Sequence, residues 1–263
     1  MSITIIKPGM LSSFQDRGRE GYQHQGIPAA GAMDERAHRL ANALAGNSGD
    51  PATLEMTLTG PTLRFDAPAC FALAGADLGA TLNGQEIPPH RPLVARAGDT
   101  LAFGARPANG VRAYLAVHGG FALAPVMGSE TTYLRSGFGG SEFRISPQSD
   151  RMGYRLQGPA LSMSQPRQML SEAACFGTVQ VPSGGEAIIL MADRQTTGGY
   201  PKIAQIASVD LPLLAQYAPG RALRFAMIEL DEAQRLDGER ERAFAQLLDA
   251  LAPLRALLGP GHP

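Results

Sequence analysis

The amino-acid sequence contains no tryptophan, and only two cysteines and two lysines, among its 263 residues. Cys70 and Cys175 lie in apolar runs, a pattern typical of buried thiols in a reducing compartment and not of a disulfide framework. The sequence also lacks the His and Cys spacing of a zinc site, so we expect no metal ion. Its first ten residues lack a basic stretch that leads into a long apolar run, which argues against a signal peptide.

Long apolar segments are missing as well. The longest run without Asp, Glu, Lys or Arg is Ala113–Ser129, and glycines, a proline and a histidine interrupt it. Such a run is a poor membrane span. We therefore expect a cytoplasmic protein that makes no membrane contact.

The sequence has no excess of charge of either sign, because 23 basic and 24 acidic residues give a formal net charge of −1. Without a strong overall field, we expect no nucleic-acid partner. Hydrophobic residues make up 44% of the chain and charged residues 18%, which excludes a disordered chain. The 31 glycines and 20 prolines are many for a helical bundle, so the composition predicts a turn-rich, mainly β protein.

Short apolar runs separated by turns predict β-strands over most of the chain. Asn83-Gly84 is a strong turn signal, because both residue types tolerate the positive φ angles of a tight hairpin. It predicts a hairpin between Ala80–Leu82 and Gln85–Ile87. The other predicted strands are Ile3–Pro8 at a sheet edge, Leu54–Leu58, Thr62–Phe65, Cys70–Leu73, Thr100–Phe103, Arg112–Val117, Tyr154–Leu156 and Ala187–Ala192.

Two segments have helical patterns. Asp34 predicts the N-cap of a short helix that ends at Gly46. In the tail Asp231–Leu258, the large apolar residues share one face, and Gly259 predicts the end of the helix. Gly238 predicts a break within this tail, because glycine is a weak helix former.

Two pairs of segments repeat in the same order along the chain. Residues 58–63, LTGPTL, resemble residues 156–161, LQGPAL, and residues 98–103, GDTLAF, resemble residues 220–225, GRALRF. We interpret the pairs as marks of two related β units, although the Gly-x-x-Leu-x-Phe pattern also arises by chance. The second unit is the longer one between its segments, and added loops often carry function. We predict an N-terminal β unit at 1–146, a second β unit at 147–230 and a helical tail at 231–263.

A polar loop follows the predicted strand Ala187–Ala192. It runs from Asp193 to Lys202, and its glycines allow backbone N–H groups to approach a ligand. Arg194 offers a fork of donors to a carboxylate or phosphate, Asp193 can accept a proton or orient Arg194, and Lys202 supplies a compact ammonium group. The alternative is a solvated hairpin with an Asp–Arg bridge. The further candidates in this loop are Gln195, Thr196, Thr197, Gly198, Gly199 and Tyr200.

Two other polar segments are candidates for binding. The first is glycine-rich and contains Gln15, Asp16 and Arg19, and its alternative is a surface Ω-loop. The second contains Arg151 and Tyr154 at the junction of the two predicted units, where ligand clefts often form. Its alternative is a turn that contains an Asp–Arg pair.

Four motifs occur in order between residues 3 and 226: GMLSSFQDRGREGYQHQGIP, LEMTLTGPTLRF, SDRMGYRLQGP and ADRQTTGGYPKIA. Together they resemble the biotin-dependent carboxyltransferase-like family, which includes the C subunit of 5-oxoprolinase and allophanate hydrolase subunit 2. The resemblance implies a mainly β fold of two related, cyclophilin-like β-barrel units with a short N-terminal helix and a C-terminal helix. It also implies a heteromer in which the partners are a B-like subunit of the same enzyme and an A-like one.

The resemblance further implies an activity. As the C subunit of an ATP-dependent 5-oxoprolinase, the chain would act with its partners to open 5-oxo-L-proline to L-glutamate, with ATP bound by this chain or by a partner. One alternative is a carboxyltransferase component that uses carboxybiotin on a urea- or allophanate-type amide. Another is a non-catalytic regulator of a B-like partner protein. The sequence has no biotinyl-lysine motif, so biotin is not expected on this chain.

For the 5-oxoprolinase reaction we assign roles to the candidate residues. We expect Asp193 or Asp16 to orient or deprotonate a group, and Lys202 to stabilise developing negative charge. We expect Arg194 to bind an anionic group. The expected substrate contacts also include Gln15, Arg19, Arg151, Tyr154, Gln195, Thr196, Thr197, Gly198, Gly199 and Tyr200.

Four residues depart from the family's usual pattern: Ala30, Glu130, Phe143 and Ala173. Glu130 stands where arginine is common, so this change reverses the local charge and bears on the choice of substrate.

Overall fold

The computed structural model describes residues 2–19, 21–47, 49–104, 110–121, 142–161 and 171–259. The fold is mainly β, with 32% strand and 22% helix, which confirms the predicted fold class. The described residues divide into two compact units. Unit 1 lies within Met1–Arg17, Asp34–Pro125 and Glu241–Pro263, and unit 2 lies within Gly18–Met33 and Val126–Arg240.

The two units exchange segments along the chain, whereas the predicted boundaries at 1–146, 147–230 and 231–263 follow chain order. Unit 2 takes Gly18–Met33 from the region predicted as the N-terminal unit. Unit 1 takes Glu241–Pro263 from the predicted tail.

Unit 1 begins with ten β-strands. They are Ile3–Lys7 (β1), Leu11–Gln15 (β2), Thr53–Thr57 (β3), Thr62–Phe65 (β4), Ala69–Gly75 (β5), Ala80–Leu82 (β6), Gln85–Glu86 (β7), Pro92–Ala95 (β8), Thr100–Phe103 (β9) and Arg112–Val117 (β10). They form two antiparallel sheets, in the orders β1-β4-β9-β6-β7 and β2-β3-β10-β5-β8. The bounds of β4, β9 and β10 match the predicted ones, and β1 is an edge strand, as predicted.

The hairpin predicted at Asn83-Gly84 is confirmed. Its φ angles are 53° at Asn83 and 81° at Gly84, and Leu82 pairs with Gln85 across the turn. Two positive φ angles give the turn the twist that its flanking strands require.

Alternation along the strands of unit 1 separates an apolar face from a polar one. On β3, Leu54 and Met56 join a buried core cluster that draws side chains from both sheets. Thr53 and Glu55 therefore point to the opposite face. The helix Glu35–Leu44 (α1) packs against β3, β5 and β10. Its N-cap is Asp34, which accepts a hydrogen bond from the Ala37 N–H at 2.9 Å, as the sequence predicts.

Unit 2 has its own core and two antiparallel sheets. Its strands are Glu142–Ile145 (β11), Gly153–Gln157 (β12), Glu172–Ala173 (β13), Thr178–Gln180 (β14), Ile188–Leu190 (β15), Thr197–Gly198 (β16), Lys202–Gln205 (β17) and Ala222–Arg224 (β18). Six of them form a sheet in the order β17-β14-β15-β12-β11-β18, while β13 pairs with β16. The helix Leu211–Ala215 (α2) buries Leu214 in the core cluster of this unit.

The predicted repeat has a structural counterpart in how its glycines pack. A Cβ atom on Gly60 would lie 2.4 Å from the Phe103 ring, and one on Gly158 would lie 2.5 Å from the Phe143 ring. Each unit therefore packs a phenylalanine ring directly against the glycine of its Gly-Pro segment. A side chain at either glycine would displace that ring.

The tail is helical as predicted, but the predicted break at Gly238 is wrong. The helix Leu230–Ala250 (α3) runs through Gly238, and a second helix, Ala252–Leu258 (α4), follows. The break falls beside Pro253, which has no N–H for a helical hydrogen bond. Among the described residues, no helix has both the length and the apolar character that a membrane crossing requires.

Candidate functional site

The polar loop of unit 2 follows a buried strand, as the sequence predicts. It leaves β15, forms the short strand β16 and returns to the sheet as β17 at Lys202. Residues Ala173 and Thr197 are partners in the small β13–β16 sheet. The Ala174 N–H also donates to the Thr196 carbonyl at 2.9 Å, so two chain segments hold the loop.

Arg151 and Asp193 join two of the predicted segments. The Arg151 side chain donates from Nε to Oδ2 of Asp193 at 2.8 Å and from Nη2 to Oδ1 at 3.0 Å. Its Nη2 also donates to the Gly31 carbonyl at 2.7 Å. The prediction that Asp193 orients its neighbour Arg194 is therefore wrong, because its carboxylate bonds to Arg151. The Asp193 side chain remains 36% exposed, which leaves it accessible to a ligand or water.

Arg194 is buried, with 3% of its surface exposed. Its Nε donates to the Ala174 carbonyl at 3.3 Å, and its Nη1 lies 3.4 Å from the carbonyls of Met191 and Ala192. Burial lowers the pKa of the guanidinium to about 10, so it stays protonated at neutral pH. Within the described part of the chain, no carboxylate forms an ion pair with it. Arg194 thus fixes the loop and does not present an open fork to a ligand, which corrects its predicted role.

Lys202 bridges the loop to a neighbouring strand. Its Nζ lies 3.1 Å from Oε2 of Glu172 and donates to the Ala173 carbonyl at 2.7 Å. The Lys202 side chain is 17% exposed, so the ammonium group is only partly accessible. Since Ala173 contributes its backbone, its departure from the family pattern does not alter this contact.

Gln23 is a contact that sequence reasoning missed. Its Nε2 donates to the Ala174 carbonyl at 3.0 Å and to the Thr196 carbonyl at 2.8 Å. It lies in a short 3₁₀ helix, Gln23–Gln25, within the predicted glycine-rich segment. That segment therefore braces the loop, although nothing in its local sequence distinguished Gln23 from its polar neighbours.

Gln180 was also missed, because it lies inside a predicted β region with no motif around it. Gln180 is 5% exposed, and its Nε2 has no hydrogen-bond partner among the described residues. A Cβ atom at Gly198 would lie 2.4 Å from that nitrogen. Gly198 is thus required by close packing on Gln180, and its φ angle is not positive.

The loop residues differ in how far they are available to a ligand. Thr196 is buried and Gly198 is half-buried, whereas Tyr200 is 51% exposed. A ligand on this surface can therefore reach the exposed members, which are Gln195, Thr197, Gly199 and Tyr200.

The other predicted site residues do not join this cluster. Gln15 and Asp16 belong to unit 1, where Gln15 ends β2 and donates to the Ser13 hydroxyl at 3.0 Å. Arg19 belongs to unit 2, and its N–H donates to the Ala29 carbonyl at 3.0 Å. Tyr154 is 3% exposed in the hydrophobic cluster, so its prediction as a substrate contact is corrected to a core position.

Two further departures from the family pattern have simple structural settings. Phe143 is 1% exposed and packs in the core of unit 2, where it meets the Phe225 ring edge-on. Ala30 has a φ of 53°, in the region that favours glycine. Glu130 lies outside the described residues.

A buried polar network in unit 1 also escaped sequence reasoning, although the alternation of β3 and β10 carries a signal for it. The Tyr114 hydroxyl donates to Glu55 at 2.8 Å and accepts from the Asp34 N–H at 2.8 Å. Burial raises the pKa of Tyr114 well above its ordinary value, so the phenol stays neutral. Nearby, Nδ1 of His38 lies 2.9 Å from the Thr53 hydroxyl, and burial lowers the pKa of this imidazole. These groups hold α1 to the sheet beneath it.

The comparisons with known proteins agree with the motifs. The family of the carboxyltransferase domain, subdomain A and B, matches residues 25–144 and 140–227. The chain belongs to this family. Among the described residues of this family member, no group of three or more His, Cys, Asp or Glu side chains is arranged to hold a metal ion.

Two bacterial relatives match nearly the whole chain. The 5-oxoprolinase C subunit of Escherichia coli (strain K12) is 36% identical and covers 93% of this chain and 97% of that protein. The protein of the same name from Haemophilus influenzae is 35% identical and covers 91% and 95%. The urea amidolyase of Saccharomyces cerevisiae is 39% identical over 57% of this chain but only 8% of that protein.

Solved structures share the fold. The crystal structure of TTHA0988 has a TM-score of 0.73 at 31% identity, over 86% of this chain and 55% of that chain, so this chain spans about half of that protein. The Kluyveromyces lactis urea amidolyase has a TM-score of 0.83 over 95% of this chain and 20% of that chain. At 22% identity, the second likeness establishes the fold alone.

Proposed function

We propose that this chain is the C subunit of an ATP-dependent 5-oxoprolinase, which opens 5-oxo-L-proline to L-glutamate together with A-like and B-like partners in the cytoplasm. The observation that carries the proposal is the match to the C subunits of two 5-oxoprolinases over at least 95% of their length. The polar loop from Asp193 to Lys202 supports it, because this loop presents a carboxylate, hydroxyls and glycine N–H groups on one surface.

The reaction determines what this surface must supply. A lactam is a poor electrophile, and transfer of a phosphoryl group from ATP to its oxygen makes ring opening favourable. The protein must then hold the substrate carboxylate, stabilise negative charge and direct a water molecule. These tasks need donors, a positive field and a carboxylate that can accept a proton.

We assign these tasks to residues by their exposure. Asp193 is the carboxylate that directs water, since Arg151 fixes its orientation while part of it stays exposed. Thr197 and Tyr200 donate hydrogen bonds to the substrate. Lys202 contributes positive charge from the end of β17, and Arg194 acts as a positioning residue whose buried charge adds to the field.

The residues present do not fit ATP at this surface. Arg151 bonds to Asp193 and Gly31, Arg194 to backbone carbonyls and Lys202 to Glu172. A triphosphate needs open cations or a cradle of backbone N–H groups, and the sequence has no Gly-x-x-x-x-Gly-Lys-Ser/Thr loop. We therefore assign ATP to one of the partners and derive no step through it on this chain.

The alternative is a carboxyltransferase component that uses carboxybiotin carried by another protein. The family description and the urea amidolyase relatives favour it, although those relatives match only about 8% of their length. The proposal is tested by mixing the chain with the A-like and B-like partners and measuring ATP hydrolysis and glutamate release. We expect both to require 5-oxo-L-proline and to resist avidin. Inhibition by avidin, or no glutamate release, would favour the alternative.

A further inference from the structure

Unit 2 contains a groove of about 960 Å³ that includes none of the residues 193–202 of the candidate site. It lies among β17, α2, β18 and the segment that leads into α3, and we call it the edge groove. Its larger apolar lining residues are Leu213, Tyr217, Leu223, Met227, Ile228 and Leu230.

The edge groove lies where the six-stranded sheet ends. The terminal strands of that sheet are β17 and β18, and each pairs with one neighbour within the described residues. Both strands contribute residues to the groove, among them Ala204 of β17 and Leu223 of β18. Proteins usually cover such edges, because an unpaired edge invites another polypeptide. The groove therefore brings both open edges of one sheet to a single surface.

The side chains of the edge groove are unusually exposed for apolar residues. Met227 is 68% exposed, Leu213 is 56% exposed, and Ile228 and Leu230 are each 42% exposed. Clustered exposed apolar side chains mark interaction surfaces more often than isolated ones do. A small-molecule pocket would enclose its ligand, so this degree of exposure favours a polypeptide as the occupant.

The charges around the edge groove indicate the chemistry of that polypeptide. Asp210, Glu229 and Asp237 line it, and no basic side chain in the described ranges forms an ion pair with them. Arg224 also lines the groove, but its Nη2 pairs with Oε2 of Glu142 at 3.1 Å. The rim therefore presents uncompensated negative charge around an apolar floor, which complements basic side chains.

We propose that the edge groove binds a segment of a companion protein of the complex that carries apolar side chains flanked by lysine or arginine. The assignment to a companion protein rests on the proposed function, which requires such companions. The apolar side chains of the segment cover Met227 and Leu213, and its basic side chains meet the three carboxylates of the rim. Because β17 both lines the groove and begins at Lys202, the bound segment also steadies one end of the candidate site.

The test measures the affinity of the full chain for the purified A-like and B-like companions, by titration calorimetry, with two matched methionine variants. Met227 is 68% exposed and Met10, in unit 1, is 67% exposed, so Met10→Glu controls for the added charge. We expect Met227→Glu to weaken binding at least about tenfold and Met10→Glu to leave it unchanged. The triple variant Asp210→Asn, Glu229→Gln, Asp237→Asn should bind more weakly at low salt and lose most of the salt dependence.

Each other outcome has a defined meaning. Equal affinity of the wild type and Met227→Glu would overturn the inference and leave the proposed function standing, provided that glutamate release persists. Loss of self-association in Met227→Glu, measured by sedimentation, with unchanged binding to the companions would identify a second copy of this chain as the occupant and overturn our assignment. A wild-type chain that binds neither companion would contradict both proposals.

Discussion

Arg151 and Asp193 are 42 residues apart in the chain, yet they form a two-bond ion pair with N–O distances of 2.8 and 3.0 Å. The guanidinium is largely buried and the carboxylate is partly exposed, so the pair joins the interior of unit 2 to the surface of its polar loop. An arginine in this position depends on its acidic partner, whereas that partner keeps one side free for chemistry.

Replacing Asp193 should therefore affect both stability and activity. We expect Asp193→Asn to lower the free energy of unfolding by about 1–3 kcal/mol, because the buried guanidinium loses its charged acceptor. Urea denaturation of the full chain measures this change. The control is Asp249→Asn at an exposed position of α3, which should change stability by less than about 0.5 kcal/mol. Equal small effects of both substitutions would show that the ion pair contributes little.

The packing of Gly198 on Gln180 predicts that even a methyl group disturbs the loop. We expect Gly198→Ala to destabilise the chain by about 1–3 kcal/mol, because its Cβ would lie 2.4 Å from a buried amide nitrogen. Shortening the neighbour makes room, so the double variant Gly198→Ala, Gln180→Ala should be more stable than the sum of the two single effects. A double-mutant cycle by urea denaturation measures this coupling, and strict additivity would contradict the packing account.

Burial of His38 predicts a pH dependence of stability. Burial lowers the pKa of His38 below 6.5 in spite of the nearby carboxylates of Asp50 and Asp16, so the unfolded chain takes up the proton first as pH falls. The stabilising contribution of neutral His38 is present above pH 6.5 and is lost as pH falls through the lower folded-state pKa. We expect His38→Gln to flatten the decline of stability below pH 6.5.

The control for His38 is His24→Gln, at an exposed position in unit 2. It should leave the pH profile of the unfolding free energy unchanged. Identical profiles for wild type and His38→Gln between pH 4 and pH 7 would contradict the assignment, where one proton accounts for at most about 1.4 kcal/mol per pH unit.

Gly238 offers a stabilising substitution. It lies inside α3, and a Cβ atom there would meet no heavy atom within 4 Å. We expect Gly238→Ala to raise the unfolding free energy by about 0.5–1 kcal/mol, because alanine loses less conformational freedom in a helix. Thermal unfolding measures the gain. A loss of stability would mean that the chain requires a break at this position, as the sequence pattern predicts.

Local patterns in the sequence were sufficient for much of the fold. Alternation located β4 and β10, and the φ preferences of Asn83-Gly84 located the hairpin. The break in the tail was misplaced, because continuous helical geometry through Gly238 outweighs its weak propensity, whereas Pro253 lacks a donor.

The contacts of the candidate site were harder to predict, because they join residues that are distant in sequence. The loop itself was correctly located after a buried strand. The partners of Asp193 and Lys202, however, depend on strand register and on β13, which carries no motif of its own. Tyr154 was misassigned because a tyrosine ring packs a core while its hydroxyl makes the residue look polar in sequence.

The most direct test of the account compares the two lysines of the chain in the reconstituted complex. The measurement is glutamate release from 5-oxo-L-proline and ATP by complexes that contain Lys202→Ala or Lys7→Ala, with assembly checked by size-exclusion chromatography. Lys7 ends β1 in unit 1, outside the polar loop. We predict that Lys202→Ala assembles normally but loses at least about 100-fold in turnover, a loss typical of a removed charge-stabilising group, while Lys7→Ala matches the wild type. Wild-type turnover by Lys202→Ala would contradict the proposal that this loop takes part in the reaction.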